Sequence, residues 1–129
     1  MKLFAILVAC AITSVASAGD FRVTDADDST IDVHYTGGVD DYDIYGWESV
    51  VTYANGRVIY LTIDSPGGSA YGGLDLYWAM EAYPYLVTIA GGDFGAYSAA
   101  AIMWLAGDEK IIAERGGVYF HAAFCTWDP

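Results

Sequence analysis

The sequence predicts an α/β domain with parallel strands. VIYLTI (58–63) and LVTIA (86–90) are apolar runs rich in β-branched residues, as in strands covered on both faces. Helical patterns alternate with them, the order expected of β-α-β units. Between them, DSPGGSAYGG (64–73) sets four glycines and a proline at the mouth of a strand, where a helix opens. Glycine there lets backbone N–H groups approach a ligand closely.

The elements follow in order. MKLFAILVACAITSVASAGD combines one lysine, an apolar run from Leu3 to Ile12 and small residues ending Ala16-Ser17-Ala18. That is the pattern of a secretory signal peptide. Residues 1–18 are therefore expected to be removed, leaving 19–129 as one exported domain, periplasmic or secreted. LVAC (Leu7 to Cys10) also looks like a lipoprotein box, which keeps a lipid- or signal-anchored form as the alternative. Cleavage would leave Cys125 without an intramolecular disulfide partner, and no other run long enough to span a bilayer.

Residues 19–43 hold eight aspartates against Arg22. DADDSTID spaces Asp25, Asp27 and Ser29 like the start of a calcium loop, but Thr30 and Thr36 stand where glycine and glutamate are needed. A solvated acidic turn is the better reading, and no metal site is assigned. TIDVHYT (30–36) alternates as a half-buried strand. YDIYGWESVVTYA (42–54) places Ile44, Trp47, Val50 and Val51 at helical spacing before Asn55-Gly56. The glycine loop leads into a helix to about Ala82, with Leu74, Tyr77 and Trp78 expected inward. AYSAAAIMWLAG (96–107) reads as a helix apolar nearly all round, closed by Gly107. KIIA and VYFH read as two short strands.

The function classes narrow with charge. Seventeen acids against five bases give a net charge of −12, which disfavours nucleic acid as a partner. The glycine loop matches neither nucleotide-binding pattern and has no lysine or arginine beside it, so no nucleotide cofactor is expected. A transient oxyanion remains, and donors aimed at one are often the largest catalytic contribution. Ser69 is placed to cap the following helix. Ser98 lies in the first turn of the most buried helix, and His121 ends the strand GVYF on the same face as Tyr119. Together they have the residue types of a nucleophile and its base. His34, on the early half-buried strand, reads as a surface or satisfied histidine. Lys110 reads as a solvated strand-edge lysine, and nothing else supports a Cys125–His121 thiol pair.

From Val58 to Ala122 the sequence resembles the ClpP/crotonase superfamily, specifically the Clp protease proteolytic subunit and its exported relatives. LTIDSPGGSAYGGLDLYWAM is similar to the family's strand, S-P-G-G loop and helix. VTIAGG is similar to the strand before the nucleophile, YSAAAIMWLAG to the nucleophile helix and GGVYFHAA to the histidine strand. The resemblance implies a ClpP/crotonase-like spiral of ββα units with parallel strands, short at its C-terminus. It also implies a serine peptidase acting on peptide or protein substrates and forming a homo-oligomer. Ser98 would be the nucleophile and His121 the base. The N–H groups of Gly67 and Ala99 would form the oxyanion hole, while Pro66 and Gly68 hold the loop. No cofactor is implied, and an ATP-driven unfoldase is not expected for an exported protein. An acyl-CoA substrate is disfavoured, because few bases could meet the CoA phosphates.

The family's third catalytic residue is an aspartate well beyond the histidine. Asp128 is the single acid after His121 and lies close to it in sequence. The residues thus leave a shortened version of the family chain, a dyad and a catalytically inactive binding or assembly module open.

Overall fold

The structure, a computed structural model, describes residues 19–122. The expected signal segment 1–18, Cys125 and Asp128 lie outside the described residues.

Strands β1 (Asp20–Ala26), β2 (Thr30–Thr36), β3 (Val58–Asp64), β4 (Leu86–Ala90) and β6 (Glu109–Ile112) form one sheet in the order β1-β2-β3-β4-β6. All its pairings are parallel except β1 with β2. Helix α1 (Asp43–Ala54) connects β2 to β3, and α2 (Ala70–Glu81) connects β3 to β4. A two-residue strand β5 (Ala96–Tyr97) and helix α3 (Ala99–Trp104) lie between β4 and β6. β5 pairs with β7 (Val118–Tyr119) in a separate two-stranded sheet. The architecture is mixed α/β with a mostly parallel sheet, as the sequence predicts. Parallel neighbours need such helical crossovers, because a tight turn cannot reverse the chain twice.

Strand register explains the core. Ile31, Ile59 and Leu86 stand side by side, as do Val33, Leu61 and Thr88, and then Tyr35, Ile63 and Ala90. All nine are buried, and they join Trp47, Val50, Leu76, Met80 and Met103 from the helices. Each buried aliphatic side chain contributes about 1.5–3 kcal/mol relative to exposure. The opposite sheet face departs from expectation at β3. On β2, Asp32 and His34 are exposed as its alternation predicts, but on β3, expected to be covered on both faces, Tyr60 is 37% exposed. Thus β3 is covered on one face and only half-covered on the other.

β1 lies within the acidic segment 19–43, over residues where the sequence predicts no strand. Phe21 packs against Tyr35 and Trp47, with ring centroids 4.7 and 5.9 Å away. The rest of β1 is exposed, with Asp20, Arg22, Thr24 and Asp25 among it, which dilutes the strand pattern. The turn to β2 is the solvated acidic turn expected at DADDSTID. Asp27 Oδ1 accepts hydrogen bonds from Ser29 N–H and Thr30 N–H at 2.7 and 2.8 Å. These donors hold its carboxyl below the usual aspartate range.

The helices refine the sequence reading. α1 ends at Asn55, whose φ of 48° is left-handed, as the Asn-Gly pair predicts. Ser69 caps α2, its Oγ accepting from Gly72 N–H at 3.1 Å. However, α2 buries Gly72, Gly73, Leu76 and Met80, whereas Leu74 and Trp78 point to solvent and Tyr77 is half-buried. The glycines set this rotation. A Cβ on Gly73 would lie 2.9 Å from Ala99 O, so the bare backbone face is the one that meets α3. The helix expected over 96–107 is shorter, because Ala96 and Tyr97 pair with Val118 and Tyr119 as strands. Gly107 lies beyond the C-cap Leu105, and its requirement is space, since a Cβ there would fall 2.3 Å from Thr88 Oγ1. The strand expected at KIIA begins at Glu109 and is exposed along its length as the sheet edge, and VYFH contributes only Val118 and Tyr119 to a strand.

Candidate active site

The site assembles where β3 and β4 deliver their C-terminal loops, the usual position for a ligand in parallel α/β sheets. After β3, Ser65 pairs with Ala96, and Val39 pairs with Gly68. Ser65 N–H donates to Gly95 O at 2.8 Å, and Val39 N–H donates to Gly67 O at 2.9 Å. The loop is thus pinned on both sides. Asp64 secures the second loop, its Oδ1 accepting from Phe94 N–H at 2.8 Å.

Gly67 has a φ of 93°. A Cβ at that position would lie 2.6 Å from Tyr97 O, 2.7 Å from Ser98 Cβ and 3.2 Å from Ala99 N. Only glycine permits this approach, and the loop backbone therefore runs directly against Ser98. The Gly67 N–H donates to Ser65 Oγ at 3.2 Å. The Gly68 N–H has no hydrogen-bond acceptor among the described residues. Pro66 and Gly68 lie in the same turn, with Gly68 at φ 150°.

Ser98 sits between β5 and α3 with φ 58° and ψ −119°, an uncommon conformation for a residue with a side chain. Ser98 N–H donates to Tyr119 O at 2.8 Å, Tyr97 N–H to Ser65 O at 3.1 Å and Ala101 N–H to Ser98 O at 2.9 Å. These bonds hold the strand-to-helix corner and aim the serine outward. Ser98 occupies the N-cap position, not the first turn, yet its side chain makes no capping bond. Instead its Oγ lies 2.7 Å from His121 Nε2. His121 Nδ1 lies 2.9 Å from Ala122 O. A carbonyl only accepts, so Nδ1 carries the proton and Nε2 presents its lone pair to Ser98.

The structure therefore brings together Ser98, His121, Gly67 and Ala99 and leaves His34 exposed on β2. Alternation along GVYFH predicts Tyr119 on the face of His121, but nothing in the sequence places Tyr97 beside them. The Tyr97 ring lies 5.2 Å from Tyr119 and 6.1 Å from His121, centroid to centroid. Their proximity follows from a two-residue strand pairing too short to leave a periodicity.

A family model for Clp protease matches residues 50–121, more than half of the chain. The chain belongs to the Clp protease family. No curated protein matches it. The matched segment runs from within α1 to His121, so it contains the glycine loop, the Ser98 corner and the histidine of this Clp protease family member.

Proposed function

We propose that the protein is a serine-type peptidase acylated on Ser98, with His121 as the general base. The observation that carries this reading is the 2.7 Å approach of His121 Nε2 to Ser98 Oγ beside a glycine loop. Ser98 Oγ attacks the scissile carbonyl carbon while Nε2 takes its proton. The developing oxyanion is received by the backbone N–H groups of Gly67 and Ala99, with Gly67 exchanging Ser65 Oγ for the substrate oxygen. The imidazolium then gives its proton to the leaving amine. Water, deprotonated by Nε2, attacks the ester and releases the acid with Ser98 restored. Pro66 and Gly68 keep the loop in shape.

The same reading takes a peptide or protein as substrate, a homo-oligomeric assembly and an exported location. The N-terminal sequence pattern supports export. Among the described residues no helix is long and apolar enough to cross a membrane.

A second reading is a catalytically inactive binding or assembly module of the same fold. What favours it is the neutral partner of His121 Nδ1, a carbonyl where an orienting carboxylate would stabilise the imidazolium. Losing such a carboxylate can cost about four orders of magnitude in rate. Labelling with a fluorophosphonate probe separates the two. Wild type labels and Ser98→Ala and His121→Ala do not if Ser98 is activated by His121. A folded wild type that does not label refutes the peptidase.

A further inference from the structure

We propose that Tyr97 is a positioning residue for His121, its ring taking over part of the work of an orienting carboxylate; this rests on the peptidase reading above.

The argument starts from strand register. Tyr97 and Tyr119 are direct partners across β5 and β7, so their side chains share one face of the ladder. Their rings are 5.2 Å apart and tilted by 32°. His121 lies two residues beyond Tyr119, and alternation returns it to that face. The Tyr97 ring then lies 6.1 Å from the imidazole at 38°. Tyr97 is the central ring of the three and directly precedes the nucleophile. Its backbone is fixed by the bond from its N–H to Ser65 O at 3.1 Å.

Two needs meet there. The imidazole is exposed, and the hydrogen bonds that hold it among the described residues go to Ser98 Oγ and to the Ala122 carbonyl. Neither acceptor carries a charge. A ring alongside restricts rotation of the imidazole away from Ser98. It also presents a negative π face to the imidazolium that forms when Ser98 loses its proton. The phenol hydroxyl has no part in either effect, so phenylalanine should replace Tyr97 and an aliphatic residue should not.

The test measures the rate of Ser98 phosphonylation by diisopropyl fluorophosphate, which has no peptide side chain and so does not sense a substrate subsite. Tyr97→Phe is expected to react within about twofold of wild type, and Tyr97→Leu about fivefold more slowly. Tyr97→Met serves as a second aliphatic variant, and melting curves check that each variant is folded. Tyr97→Leu reacting at the wild-type rate overturns the proposal, as does Tyr97→Phe reacting as slowly as Tyr97→Leu. Nitrogen-15 spectra of His121 read the positioning independently of reactivity. Wild type and Tyr97→Phe should hold the Nδ1–H tautomer, and Tyr97→Leu should give a mixture. An unchanged tautomer in Tyr97→Leu overturns the positioning role even if no variant reacts. Loss of wild-type phosphonylation with the tautomer pattern intact refutes the peptidase reading alone.

Discussion

Replacing Gly67 by alanine should damage stability and site together. Two costs arise at this position. Its φ of 93° lies where an L-residue is strained, at about 1–2 kcal/mol. The new Cβ would also fall 2.6 Å from Tyr97 O and 2.7 Å from Ser98 Cβ. The first of these is backbone held by the β5–β7 pairing, so it cannot yield like a flexible side chain. Overpacking of that kind adds about 1–3 kcal/mol, and Gly67→Ala should lose about 2–5 kcal/mol in all. Gly56 provides the control: its φ is 85°, yet nothing lies within 4 Å of a Cβ there. Gly56→Ala should therefore bear the strain alone, about 1–2 kcal/mol. Urea denaturation with unchanged m-values measures both. Gly67→Ala should also abolish Ser98 labelling, whereas Gly56→Ala should leave it intact. A Gly67→Ala protein no less stable than Gly56→Ala, labelling at the wild-type rate, would refute the packing argument.

Two further outcomes follow from the packing around the site. Ser69→Ala removes the cap of α2 and the hydrogen bond that Ser69 makes with Asp41; it should cost about 1 kcal/mol in urea denaturation, and Ser69→Asn should recover part of it. Tyr35 donates its hydroxyl to Asp43 Oδ2 at 2.6 Å, and burial together with that carboxylate holds the phenol far above its ordinary value of 10.0. A raised folded value means that the unfolded chain loses its proton first. The contribution is therefore whole below about pH 10 and falls above it, by up to about 1.4 kcal/mol per pH unit. Tyr35→Phe should flatten the alkaline fall in stability, measured by urea titration between about pH 9 and 11; an unchanged slope contradicts the assignment.

Sequence patterns reported those features that local chemistry determines. β3 and β4 follow from β-branched apolar runs, the end of α1 from Asn55-Gly56, and the start of α2 from Ser69. What eluded the pattern is set by tertiary pairing. Ala96 and Tyr97 sit beside helix-forming alanines, and only the β7 partner draws them into a strand. Leu74 and Trp78 look like an inward stripe, yet Gly73 lets α3 approach on the other side and Gly72 admits the Asp40–Asp41 backbone. β1 is hidden because its strand pairing uses backbone while most of its side chains are exposed acids and other exposed residues. At the site, Ser98 and His121 were legible through family resemblance and residue type, 23 positions apart. Alternation placed Tyr119 on the face of His121, but neither the positive φ of Ser98 nor the approach of Tyr97 to that face leaves a mark in composition or periodicity.

The central claim is that Ser98, activated by His121, carries the acyl group. Its most direct test is mass spectrometry of the folded protein quenched during reaction with an activated peptidyl ester, followed by peptide mapping. The account predicts an acyl adduct on the peptide containing Ser98, absent in Ser98→Ala and strongly slowed in His121→Ala. An adduct elsewhere, or acylation of Ser98 at an equal rate without His121, would contradict it.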